Sequence, residues 1–138
     1  MKATIQQIHG TTFACKADSG HWVVMDTSAT EGGADAASGP MEMVLMALGT
    51  CSGIDVLLIL QKRRAQVSDF QVNLEAERAA EHPRVFTKVH LEYVVTGHNI
   101  RPQDVERAIG LSMEKYCSVA GMVGKTAEIV TSYRILPA

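Results

Sequence analysis

The stretch PMEMVLMALGTCSGIDVLLILQKRR, residues 40 to 64, decides how this chain must fold. Ser38-Gly39-Pro40 starts a helix, with Pro tolerated in the first turn and Glu42 favourable beside the positive end of the helix dipole. Gly49 and Gly53 are tolerated interruptions, and Lys62-Arg63-Arg64 complements the negative end. At ~1.5 Å per residue the rod is roughly 37 Å long. Its surface from Met41 to Leu60 is apolar nearly all round, so it has to be covered on every side. One sheet covers a single face, and a second copy of the chain is the economical source of the rest.

Met43 to Leu60 is also long enough to test as a membrane span. Asp55 within it, and the run Gly49-Thr50-Cys51-Ser52-Gly53, argue for a buried helix instead, because an ionised carboxylate at mid-membrane is costly.

Around this helix the pattern is mostly β. Thr11, Phe13, Cys15 and Ala17 share one face of a strand, Asp18-Ser19-Gly20 turns, and His21 to Met25 resumes the strand, predicting an antiparallel meander with Cys15 packed beside Phe13. Thr27 to Gly39 reads as a loop. After the helix, Phe70, Val72, Leu74 and Ala76 alternate with polar residues, and Val85, Val89, Leu91, Tyr93 and Val95 continue beyond a turn at Glu81-His82-Pro83. Pro102 opens a second helix, with Val105, Ala108, Ile109, Ser112 and Tyr116 at helical spacing, that reaches Cys117 near its end. Ile129, Thr131, Tyr133 and Ile135 mark a last strand. The order is βββ-α-ββ-α-β, an α+β fold with mainly antiparallel sheets around two helices, in a single domain spanning residues 1–138.

Thirteen basic and fifteen acidic side chains give a net charge of −2, so no whole-molecule field recruits nucleic acid or anionic lipid. The first ten residues, MKATIQQIHG, lack the apolar core of a secretory signal, and a cytoplasmic location is expected. Three widely spaced cysteines are not a disulfide framework in a reducing compartment. His82, His90 and His98 do not fall at ligand spacing, so neither a metal nor any other bound cofactor is expected.

Chemistry is left to Cys51 and Cys117. Two non-adjacent thiols that meet in a sheltered cleft can perform two-step redox chemistry, one being oxidised and the other closing a disulfide on it. The alternative is two packed cysteines. Burial among Met46, Ile54 and Leu58 would disfavour a Cys51 thiolate, and Asp55, one helical turn away, adds a like charge. Cys117 near a helix C-terminus would meet an unfavourable dipole, with Lys115 and Lys125 as flanking cations.

The helix segment PMEMVLMALGTCSGIDVLLILQK and the later EKYCSVAGM, Glu114 to Met122, resemble the two cysteine signatures of the OsmC/Ohr family, nearest its YhfA-like branch. The likeness extends to the order of elements and to the spacing of the cysteines, 117 − 51 = 66 residues. It implies an OsmC-like fold in which two subunits intertwine as a homodimer around paired long helices. It also implies reduction of organic hydroperoxides, with Cys51 as the peroxidatic thiol, Cys117 as the resolving thiol and an external dithiol as reductant.

Two groups that activate the reactive thiol in the family's peroxidases are displaced or missing. Met41 stands where the glutamate after the helix-opening proline belongs, Glu42 follows one place later, and no arginine precedes Arg63. Nine residues separate Glu42 from Cys51, which puts it roughly on the opposite face of the helix. His21 or Lys16 is the remaining candidate cation, and Met41 and Met46 are candidates to line an apolar substrate pocket. A protein of this fold that binds a small apolar ligand without redox turnover is the competing expectation.

Overall fold

The computed structural model describes residues 1–138. Two compact units divide the chain, Met1–Val44 and Leu45–Ala138.

In the first unit, β1 (Ala3–His9), β2 (Thr12–Ala17) and β3 (Trp22–Met25) form the expected antiparallel meander in the order β1-β2-β3. Cys15 pairs with Ile5 on one side and Val23 on the other. The cysteine, Ile5, Phe13, Val23 and Met25 line one apolar concavity of about 520 Å³, so the predicted sharing of a face by Phe13 and Cys15 holds. The loop after β3 is organised by Asp26, which is almost fully buried. Its carboxylate accepts hydrogen bonds from the Thr11 and Thr12 hydroxyls at 2.5 and 2.9 Å and from the Thr27 and Ala36 amides at 2.7 and 3.2 Å. These bonds, led by Thr11, outweigh burial and hold the Asp26 carboxyl well below the usual range.

The long helix α1 spans Pro40–Lys62, two residues short of the expected end. Arg64 adopts a left-handed backbone, φ 59°, while the Arg64 and Ala65 amides return to the Gln61 and Leu60 carbonyls. That is a Schellman stop, which satisfies the last carbonyls of the helix by turning the chain sharply.

In the second unit, β4 (Gln66–Arg78) and β5 (Phe86–His98) pair antiparallel over their whole length, and β6 (Glu128–Pro137) pairs with β5 in parallel. The strand order is β4-β5-β6. β5 is therefore central, which explains why Val89, Leu91, Tyr93 and Val95 are all fully buried. Three of the four strand pairings are antiparallel, as expected, but the last strand departs from that rule. Parallel strands need a crossover, and here it is built from helices.

That crossover is also more divided than the sequence suggested. Helix α2 (Pro102–Leu111) widens into a π turn at Ser112–Tyr116, closed by the Cys117 amide donating to the Ser112 carbonyl at 2.8 Å. Cys117 then takes an extended conformation and starts a third helix, α3 (Ser118–Val123), which the two-helix reading did not contain.

From Leu45 onward α1 has two unlike sides. Leu48, Ser52, Val56 and Leu60, spaced by four, are fully buried. Met46, Ile54 and Leu58 lie on the opposite row and remain 45%, 53% and 51% exposed. Gly49 and Gly53 let β4 come close, since a Cβ there would meet Leu74 at the first and Phe70 and Val72 at the second. By length and apolarity α1 could cross a membrane, yet only a third of its most apolar window is buried within the chain. It is a partly buried core helix with one apolar side left open.

Candidate functional site: two thiols and a hydroxyl chain

Cys51 projects from the middle of α1 and is half-buried, whereas Cys117 is buried. The fold brings them together: Cys51 lies close enough to raise the Cys117 thiol, and neither is in a disulfide. Burial pushes the Cys117 thiol up to about 11, the Ala120 amide working against it and the Cys51 thiol adding to it.

Two expectations about this site need correcting. Cys117 does not end a helix with an adverse dipole; it is the N-cap of α3, and its Sγ accepts from the Ala120 amide at 3.3 Å. The dipole of that short helix therefore favours sulfur's negative charge, but burial outweighs it. Nor is Cys51 buried among Met46, Ile54 and Leu58, which are the open side of α1 within this chain. Of the flanking lysines, Lys115 places its ammonium over the Tyr116 ring, 5.2 Å from the centroid.

Asp55 is engaged in a way the sequence did not suggest. Ser112 Oγ lies 2.9 Å from Asp55 Oδ2 and 2.8 Å from Ser52 Oγ, and Ser52 Oγ lies 2.6 Å from the Tyr93 hydroxyl. Ser52, Tyr93 and Ser112 are fully buried. A serine carries one hydroxyl proton and a carboxylate only accepts, so the Ser112 proton belongs to Asp55. Ser52 then supplies the proton between the two serines, and Tyr93 the one that reaches Ser52. The chain of hydroxyls runs one way, from β5 through α1 and the π turn to the carboxylate. Burial raises the Tyr93 phenol, with Ser52 opposing and the charges of Cys117 and Asp55 reinforcing the rise. No buried side-chain nitrogen or oxygen is left without a partner.

Sequence reading missed Ser52, Tyr93 and Ser112. Ser112 carried a signal, because it is a polar residue on the apolar face of the second helix. Tyr93 carried another, since a phenol on the inner face of a strand needs a partner for its hydroxyl.

Lys16, His21, Met41 and Glu42 belong to the N-terminal unit. Lys16 sits over the Trp22 ring at 4.7 Å, and Glu42 accepts from the Gly39 amide at 3.1 Å, capping its own helix. Met46 lines an apolar groove of about 410 Å³ between α1 and β4, with Ile54, Phe70, Val72 and Leu74. Asp55 opens on a second groove, about 370 Å³, where Lys62, Arg63, Arg107 and Tyr116 gather.

A family profile described as OsmC-like protein matches residues 32–132. Protein YhfA of Escherichia coli K12 is 46% identical over 138 residues, covering all of both chains. A hypothetical protein from Aquifex aeolicus, solved by crystallography, is 30% identical with a TM-score of 0.87, over 99% of this chain and 96% of that one. An organic hydroperoxide resistance protein OsmC from Legionella pneumophila superposes with a TM-score of 0.71 over 96% and 94% of the two chains, but at 13% identity it speaks for the fold alone. With its three-stranded meander, long helix, two-stranded ribbon, helical crossover and last strand, the chain belongs to the OsmC-like family.

Proposed function

We propose that this protein reduces organic hydroperoxides with Cys51 and Cys117, using an external dithiol to reset the pair. The observation that carries the reading is the meeting of two reduced thiols, 66 residues apart (117 − 51), inside one fold. Chemically, the Cys51 sulfur attacks a peroxide oxygen, the O–O bond breaks, and the departing alkoxide takes a proton to become the alcohol. The resulting sulfenic acid is attacked by the Cys117 sulfur, the S–O bond breaks, and hydroxide leaves as water with a proton. A dithiol then reduces the bridge by two exchange steps. A substrate with an apolar tail suits the groove at Met46, and Met41 is a further candidate for its lining.

Lys16 and His21, supplied by a partner subunit in a homodimer, are the candidate cations for Cys51. The open row Met46, Ile54 and Leu58 supports such a dimer, because a contiguous apolar stripe of this kind calls for cover. We place the protein in the cytoplasm, where its thiols stay reduced between turnovers.

A second reading, binding of a small apolar ligand without turnover, is favoured by two observations. Burial keeps Cys117 protonated, and Glu42 is committed to capping α1. Titrating the reduced protein with an alkyl hydroperoxide and mapping disulfides by non-reducing mass spectrometry separates the two. A fast, stoichiometric Cys51–Cys117 bridge is expected, and thiols inert at millimolar peroxide would sink the peroxidase.

A further inference from the structure

Ser112 is joined to both halves of the thiol pair. Its hydroxyl reaches Ser52 and Asp55 on α1, the residues next to Cys51 and one turn beyond it, at 2.8 and 2.9 Å. Its carbonyl accepts the Cys117 amide at 2.8 Å and closes the π turn. The same residue thus grips the helix that carries one sulfur and the turn that carries the other. π turns inside helices recur at functional sites, where they aim a side chain that α geometry would point elsewhere. Here the wider ring coincides with the segment that presents Cys117.

We propose that Ser112 is the positioning residue of the thiol pair: latched to Ser52 and Asp55, it holds the turn bearing Cys117 against the helix bearing Cys51. It thereby sets the effective concentration of one thiol at the other. The proposal rests on the reading of Cys51 and Cys117 as a working pair. Asp55 is the anchor of the latch, since a charge-assisted bond is the strongest in the hydroxyl chain, and Tyr93 holds the far end by occupying Ser52. In this role the carboxylate that would only have opposed a Cys51 thiolate becomes what keeps its partner in reach.

The test is the thiol–disulfide equilibrium in buffers of reduced and oxidised dithiothreitol at fixed ratios. The oxidised reagent takes two electrons and two protons from the cysteines and becomes the dithiol, so no peroxide is involved and a peroxidase that proved inactive would leave this measurement intact. Removing the hydroxyl with Ser112→Ala forfeits a buried bond to a charged group, and the bridge should weaken by roughly tenfold to a hundredfold. Ser112→Thr, which restores a hydroxyl, should recover part of that loss, and Asp55→Leu should reproduce it. Should Ser112→Ala fail to fold, Asp55→Leu and Ser52→Ala carry the same expectation.

A role in stability alone would lower the unfolding midpoint of the reduced and bridged forms alike and leave the equilibrium where it was. An equilibrium for Ser112→Ala within about twofold of wild type would overturn the proposal. So would a wild-type protein that forms no Cys51–Cys117 bridge at any buffer ratio.

Discussion

Alkylation of Cys117 is predicted to keep accelerating with pH well beyond the point where an ordinary thiol has levelled off. The group is raised from 9.0 to about 11, chiefly by burial. Only the thiolate reacts, so below both values its population is lower than that of an ordinary thiol by 11 − 9 = 2 pH units, about a hundredfold. Limited access would slow the reaction at every pH equally and leave the shape of the profile unchanged. The shape is therefore the diagnostic: a rate rising about tenfold per unit from pH 7 to pH 10. Iodoacetamide pulses, with mass-spectrometric counting of the Cys117 peptide, give that profile directly. Cys51→Ser removes two of the influences that push Cys117 up and leaves burial, so its curve should move to lower pH without reaching the ordinary value. A plateau at or below pH 9, or a Cys51→Ser profile that does not move, would refute the reasoning. Stability has the same sign. A thiol raised by folding contributes fully below pH 9, and the contribution is lost as pH climbs toward 11.

Further outcomes can be checked by ordinary means. Asp26→Asn presents an amide to four donors, and the Thr27–Gly39 loop should become sensitive to limited proteolysis. In the wild type the carboxylate's contribution is present above about pH 3.8 and should fade as pH falls below it, visible as earlier acid unfolding. Gly97→Ala drives a methyl into the Gln66 carbonyl and Ile100 and should cost about 1–3 kcal/mol in urea unfolding, with an unchanged midpoint counting against this packing. Arg64→Gly relieves a side chain held at positive φ and should raise stability by up to about 1 kcal/mol in the same urea assay. Ile54→Glu charges the open row of α1; the wild type should sediment at twice 14.9 kDa and the variant as a single chain, whereas a wild-type monomer would remove the case for a dimer.

Periodicity made most of the fold legible. Alternation located β4, β5 and β6 because each buries one set of side chains, and Pro40 and Pro102 announced α1 and α2 because proline suits a first helical turn. The parallel pairing of β6 was hidden, since Ile129, Thr131, Tyr133 and Ile135 alternate identically whichever way the strand runs. α3 was hidden for a similar reason: SVAGMV continues an apolar trend, and only the extended backbone at Cys117 divides it from the turn before. At the site, the cysteines were found by type, and their meeting was anticipated by resemblance. The hydroxyl chain needed three residues from three elements, Ser52, Tyr93 and Ser112, and no linear spacing relates them.

The π turn has a consequence for how the chain can vary in length. A five-residue loop closed onto Ser112 has one residue more than an α-helical path needs. Deleting any residue from 113 to 116 would let the helix close in the ordinary way, with the polar and apolar character of the segment hardly altered. Each residue of helix also rotates the chain beyond it by about 100°, so the same deletion would swing Cys117 away from Cys51. The number of links in this stretch therefore matters to where the second sulfur sits relative to the first.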